Sequence, residues 1–275
     1  MMLRACDVCA GEISCGVASP FHSARLLEPL CGVITGFFVA CSVSMVFVWL
    51  SGFGEALANA PEFLRAVENR ELRAVLLAIA SGIDAVWIVL AAVHAYLALV
   101  RTNGLAVARR WSGLVLGAGI LLPAASGIFG WPLGAVFYPE HLGFKIGPVP
   151  FGLPLLWLVI VLGARESAWR LLPNAGHGVV ACTTGLLSVI TDANLEPLAW
   201  KYRAWWLWYP TPGNHPDHAP WSNYATWLVA GTALAWMMRS EEIVPRVRQR
   251  PYTPIATMVF LNALALASHA VFRQR

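Results

Sequence analysis

The sequence predicts an all-α fold: a polytopic membrane bundle of about seven transmembrane helices, interrupted by one irregular Gly/Pro-rich loop. Three observations lead there. Of the 275 residues, 58% are hydrophobic and only 12% charged, with a mean hydropathy of +0.62; soluble chains carry roughly twice that share of charge. Several apolar runs reach or approach the roughly 20 residues that cross a bilayer. The net charge of +4 comes from arginines gathered in short polar connections. Such arginines bear on membrane topology. No basic patch with interleaved aromatics of the kind that grips a phosphate backbone is present, so nucleic acid is not an expected partner.

Residues 1–27 read as a poorly ordered leader, without the basic-then-apolar order of a cleaved signal peptide. Residues 28–275 read as a single integral membrane domain. The first span is expected over Leu30–Leu50, ending at Ser51-Gly52-Phe53-Gly54. A mixed-charge stretch from Glu55 to Arg73 suits a short surface helix. The second span, Ala74–Val100, carries Asp84 and His94. Ionisable groups at membrane depth usually face a bundle interior or cavity, so each is either a structural partner or part of a site. Arg101, Arg109 and Arg110 mark a loop before the third span, Trp111–Ala125. From Gly127 to Pro154, six glycines and five prolines in 28 residues preclude a regular helix. Irregular backbone near a membrane survives only against protein or a water-filled cavity. The fourth span covers Leu153–Gly163, with an extension through Trp169 as the longer alternative, and Arg165 and Arg170 follow it. The fifth is Gly178–Ala193, the sixth Ser222–Met238, and the seventh Ile255–Phe272, with Pro254 tolerated ahead of its first turn.

The loops at 101–110, 165–170 and 239–250 are rich in arginine and therefore expected in the cytoplasm. Seven spans then place the N-terminus inside. The Gly127–Pro154 loop and the segment 191–222 fall together on the outer side, where they are expected to pack and close one end of a cavity. In a background lacking the six native cysteines, an outside thiol reagent should label single cysteines at 139–145 and 210–220 but not at 241–249. Labelling of 241–249 alone would reverse the orientation.

The most informative stretch runs from Thr191 to Trp227. Asp192 and Glu196 lie four residues apart, which on a helix stacks both carboxylates on one face. Pro197 follows, then Trp200, Trp205, Trp206, Trp208 and Tyr209. Acids beside a dense group of rings at the mouth of an apolar bundle suggest chemistry on a greasy substrate. The alternative for the rings is an interfacial aromatic belt. Glu140 and His141 sit in the Gly/Pro-rich loop, as site or as solvated surface. Asn223 either orients water or caps the sixth span. His215, Asp217 and His218 lack a matching ligand spacing elsewhere, and Cys6-Asp7-Val8-Cys9 is a lone C-x-x-C, so no metal is expected. Cys31, Cys41 and Cys182 lie in apolar runs and read as small buried residues.

Two segments resemble a known family. Gly127-x-x-Gly130-Trp131-Pro132-Leu133-Gly134, then Tyr138, Leu142-Gly143, Val149-Pro150 and Leu156-Trp157, form the first. Asp192-x-x-x-Glu196-Pro197, then Trp206, Trp208 and Pro220-x-x-Asn223-x-x-x-Trp227, form the second. Together they resemble the carotenoid biosynthesis membrane proteins, the family of the carotenoid 1',2'-hydratases and bisanhydrobacterioruberin hydratases, over about Gly113 to Trp236. The family pattern G-x-P-F-G-x-Y-x-Y keeps its second Tyr as Tyr138, with Leu133 in place of the Phe and Val136 in place of the first Tyr. Glu196 stands where the family usually has Asp. Family members commonly carry a Glu three residues before Gly127, and here that residue is Ala124. A catalytic role for that Glu would imply a different substrate or mechanism in this chain.

The resemblance implies hydration of a terminal C=C bond in an acyclic or monocyclic carotenoid end group, without a cofactor. That chemistry needs one carboxylic acid to protonate the alkene and a second, ionised carboxylate to stabilise the cation and accept a proton from water. Indole faces stabilise a nearby cation. Asp192 and Glu196 are the expected catalytic pair, in roles the sequence does not assign. Trp131, Tyr138, Trp206, Trp208, Asn223 and Trp227 are the expected substrate-binding residues, with Asp84 as a further polar member. The expected partners are a carotenoid or other polyprenoid and the lipid bilayer, in a bacterial inner membrane. Two other classes compete. An intramembrane prenyltransferase would need Mg²⁺ and two Asp-rich clusters, and only one acidic pair is present. A non-catalytic carotenoid-binding protein would use the acids for structure.

Overall fold

A computed structural model describes residues 20–50, 69–209, 219–238 and 252–273. It contains seven long helices: α1 (Pro20–Leu50), α2 (Arg70–Asn103), α3 (Leu105–Phe129), α4 (Gly152–Leu171), α5 (His177–Glu196), α6 (Trp221–Met237) and α7 (Thr253–Arg273). Among the described residues, six segments are long and apolar enough to cross a membrane. The remaining helix, α6, has 17 residues, a rise of about 26 Å and the lower limit of a spanning length. The chain is an all-α, polytopic integral membrane protein.

Local signals set the helix ends. The side chain of Asn69 accepts from the backbone N–H groups of Glu71 and Leu72 at 2.9 and 3.0 Å, which starts α2 four residues before the expected span. The loop expected at 101–110 shrinks to Gly104 alone, whose φ of 81° lets one residue separate two helices. Arg109 and Arg110 therefore belong to α3. Gly130 ends α3 in the left-handed conformation, its N–H bonded to the Ser126 carbonyl at 3.0 Å. Pro123 is buried inside α3; neighbouring helices make such a proline tolerable in a membrane.

Two further expectations need correction, concerning Arg165 and the cysteines. Helix α1 begins at Pro20, and residues 1–19, with the C-x-x-C pair, lie outside the described residues. So do residues 51–68, 210–218 and 239–251, which carry the expected surface helix, His215, Asp217, His218 and the third arginine loop. Arg165 does not follow the fourth span but lies buried within α4, its guanidinium 4.6 Å from the Trp111 ring centre and donating to the Met238 carbonyl at 3.2 Å. Two such partners make the burial of a cation tolerable. Cys182 is exposed on the outside of α5, and Cys41 is half-buried. A membrane bundle is as apolar outside as inside, so an apolar run does not say which way a residue faces.

Helices α5 and α6 form the most extensive contact of the bundle, with α4 against α3, α5 and α7, and α1 against α2. Trp49, Trp87, Trp111 and Trp157 are among its largest fully buried side chains. The Gly/Pro-rich loop is irregular as expected. It holds two short strands that pair with each other, β2 (Lys145–Ile146) and β3 (Val149–Pro150), and a single 3-10 turn over Glu140–Leu142. A further strand, β1 (Val136–Phe137), pairs antiparallel with β4 (Leu207–Trp208), with Val136 opposite Trp208. This ladder joins the two motif segments directly, as expected from their assignment to one side.

Candidate active site

Helix α5 ends at Glu196, and the chain continues as one wide π-helical turn over Pro197–Tyr202. Proline has no N–H to give, so Pro197 ends the α ladder where it stands. Asp192 and Glu196 stay on one inward face, each about 3% exposed. The widened turn lets the chain fold back: the N–H of Arg203 reaches the Leu198 carbonyl at 2.9 Å, and that of Trp205 reaches Ala199 at 2.7 Å. The three indoles that follow, Trp205, Trp206 and Trp208, are thereby turned towards the bundle.

Asn223, in the first turn of α6, joins the two acids. Its side-chain amide donates to Asp192 Oδ2 at 2.6 Å and to Glu196 Oε1 at 3.0 Å. It does not cap α6, whose N-cap is Pro220. The other oxygen of Glu196 accepts from the indole N–H of Trp206 at 3.2 Å and of Trp208 at 3.1 Å. Asp192 has Trp227 as a second partner, and Trp227 stacks on Trp157 at 3.9 Å between ring centres. The pair thus receives N–H donors from α6 and the loop after α5. Trp206 and Trp227 are buried and Trp208 partly so, which answers the aromatic-belt alternative for these rings.

The first motif is fastened to this group by hydroxyls. Ser126 accepts from the Leu133 N–H at 2.8 Å, Ser222 donates to the Leu133 carbonyl at 3.1 Å, and Thr226 donates to Pro132 at 2.9 Å. Gly134, at φ 115°, lies against Pro220 with no room for a Cβ. Tyr138 is brought into the buried group near Glu196; burial, and secondarily the Glu196 charge, raise its phenol well above the ordinary value, so it remains a neutral hydroxyl.

Other candidates fall elsewhere. Trp131 is 71% exposed and points away from the acids. Asp84 is buried but takes its partners from another set: Trp49, Arg203 and Trp205. His94 faces Thr35 at 3.4 Å and the Phe38 ring. Glu140 pairs with Lys145 at 2.7 Å on the surface, the solvated alternative of the two. Among the described residues no group of His, Cys, Asp and Glu is placed to hold a metal. Ala124 is half-buried in α3.

Sequence reasoning missed Arg203, the stacking of the motif residue Trp157 on Trp227, and the chain of Thr191, Asn262 and Asn194. In that chain Asn194 donates to Asn262 at 2.8 Å, and Asn262 donates to Thr191 at 3.1 Å, pinning α7 beside the acids. A signal existed for Arg203. A carboxylate at membrane depth needs a cation, and Lys145, Lys201 and Arg203 are the basic residues of the outer-side segments. The stacking of Trp157 on Trp227 had no such signal.

Known proteins similar to this chain place it in a family. A family model described as "Carotenoid biosynthesis protein" matches residues 83–274, from α2 to the end of α7. The bisanhydrobacterioruberin hydratase of Haloarcula japonica is 36% identical over 108 residues, 38% of this chain and 35% of that protein. The chain therefore matches about a third of the length of that relative. No solved structure matches. With the matched region holding both acids, Asn223 and the loop that fastens onto them, the chain belongs to the carotenoid biosynthesis protein family.

Proposed function

We propose that the chain hydrates a terminal C=C bond of a carotenoid end group, at the outer end of an inner-membrane bundle whose N-terminus is cytoplasmic. The observation that carries this reading is the buried Asp192–Glu196 pair, bridged by one Asn223 amide and bordered by Trp206, Trp208 and Trp227. Two ionised carboxylates in one dry site carry a large desolvation cost, so the pair holds one proton between them. Glu196 faces three N–H donors and acts as the acceptor; Asp192 faces two and carries the proton.

Asp192 gives its proton to the less substituted alkene carbon. A C–H bond forms, the π bond is lost, and a tertiary cation remains. Indoles that donate through their edges keep their faces for that cation. Water attacks the cation, forming the C–O bond, and Glu196 takes the released proton. Proton exchange within the pair restores the starting state. Since only water is added, the end group is neither oxidised nor reduced, and no redox cofactor is required. The relative's name says that it is a hydratase, which supports the reaction class.

The test is pigment analysis of cells that make an acyclic carotene, with and without this chain. A more polar tertiary alcohol, its oxygen drawn from heavy-oxygen water and not from O₂, is the expected product. Co-purified, unmodified carotene with no alcohol would overturn the enzyme reading in favour of a carotenoid-binding protein.

A further inference from the structure

Residues Arg203 to Trp208 are strung between two buried carboxylates. Arg203 and Trp205 go to one, Trp206 and Trp208 to the other. Asp84, 5% exposed on α2, accepts from Trp49 of α1 at 2.9 Å through Oδ1. Its Oδ2 accepts from Arg203 Nε at 2.7 Å and from Trp205 Nε1 at 3.2 Å, and Arg203 Nη2 completes the ion pair. Glu196 receives Trp206 and Trp208. Between Arg203 and Trp205 the chain turns through Ala204 at φ 47°, a left-handed backbone that is unfavourable for a residue with a Cβ. That turn makes Trp205 and its neighbour Trp206 diverge, their rings tilted by 53° with centres 6.1 Å apart. The segment has little regular structure of its own, with only the two-residue strand Leu207–Trp208. Its side chains are therefore held by these anchors, by the β1–β4 ladder and by the bond from Trp205 to Ala199.

We infer that Asp84 and Arg203 are positioning residues: their ion pair, with Trp49 and Trp205, sets the indole N–H groups of Trp206 and Trp208 against Glu196. Asp84 is therefore not in contact with the reacting atoms. Its carboxylate already accepts from both ring nitrogens and the guanidinium, and is committed to that role. The strained Ala204 turn is sustained because the two ends on either side of it are tied down. The activity part of this inference rests on the hydratase reading; the geometric part does not.

The experiment uses the full chain in lipid nanodiscs, with nitrogen-labelled tryptophan. The indole N–H resonances of Trp206 and Trp208 are assigned by Trp206→Phe and Trp208→Phe. Asp84→Asn and Arg203→Met should shift both resonances, and should lower kcat about tenfold to a hundredfold, the scale of a misplaced catalytic group. KM should change by less than about twofold, since the substrate itself is not touched. Arg203→Lys keeps the charge but not the fork, and should recover part of the loss. The surface variant Glu140→Gln should leave the resonances in place. If Asp84→Asn does not fold, Trp205→Phe removes one donor while keeping an aromatic ring at that position and carries the same test. Unshifted resonances in a folded Asp84→Asn or Trp205→Phe protein would overturn the inference. So would a loss confined to KM. A wild-type chain that makes no alcohol would sink the hydratase reading alone, because the resonance shifts are read without substrate.

Discussion

Asp192→Asn is expected to reduce alcohol formation by about 10²–10⁴-fold, the usual scale of a general acid, while the protein still inserts and purifies as a folded species. The amide keeps the size of the carboxyl and much of its hydrogen bonding, so packing against Asn223 and Trp227 should survive. What is lost is the proton delivered to the alkene. Glu196→Gln should have a comparable effect, because an amide cannot take the proton released by the attacking water. It also places an NH₂ group among the three N–H donors that face Glu196; the amide oxygen can serve only one side of that set. Glu140→Gln should change the rate little, since Glu140 pairs with Lys145 on the surface. Rates come from product chromatography, and integrity from gel filtration of the purified chain. Full product formation by Asp192→Asn would rule out the mechanism. Activity in both single variants would remove the two acids from the catalytic machinery.

Gly185→Val should break the bundle at its tightest crossing. Gly185 of α5 faces Leu228 and Thr232 of α6, and a Cβ there would overlap the Thr232 hydroxyl and stand 2.6 Å from the Leu228 carbonyl oxygen. On the opposite helix, a Cβ at Gly231 would stand 3.1 Å from Gly185 and 3.2 Å from the Ser188 hydroxyl, a less severe approach. Small residues let helices approach in lipid, where no hydrophobic force joins them. Because the obstacle is backbone, it does not rotate aside and the helices must separate. Overpacking of this kind costs about 1–3 kcal/mol, and more where the surroundings are rigid. The damage also reaches the site. Asp192 lies two turns along α5 from the crossing, and its 2.6 Å bond to Asn223 joins the same two helices. The variant should therefore show a lower thermal denaturation midpoint in detergent and a loss of hydration together. A Gly185→Val protein with wild-type stability and activity would show that α5 and α6 are not in contact there.

The fold and half of the site were open to reading from local sequence alone. Apolar length identified all seven helices, because a bilayer imposes that length on every span, but α1 and α3 begin ten and six residues earlier than expected. The six glycines and five prolines of Gly127–Pro154 marked the loop. The four-residue spacing of Asp192 and Glu196 placed both on one face, because the helical period is a local property. Arginine distribution put the two motif segments on one side, and the β1–β4 ladder joins them.

What the tertiary structure alone decided are the pairings between elements. Nothing in the local pattern says that Asn223 bridges both acids, since that depends on the α5–α6 crossing at Gly185 and Gly231. Asp84 reads as a site residue until Arg203, 119 positions later, is seen to hold it. Trp131 belongs to a motif yet faces outward, while Trp205 and Trp206 turn in, because the backbone at Gly130 and Ala204 aims them. Apolar composition cannot separate these cases. In lipid both faces of a helix are greasy, so hydrophobicity reports depth in the membrane, and only packing reports direction.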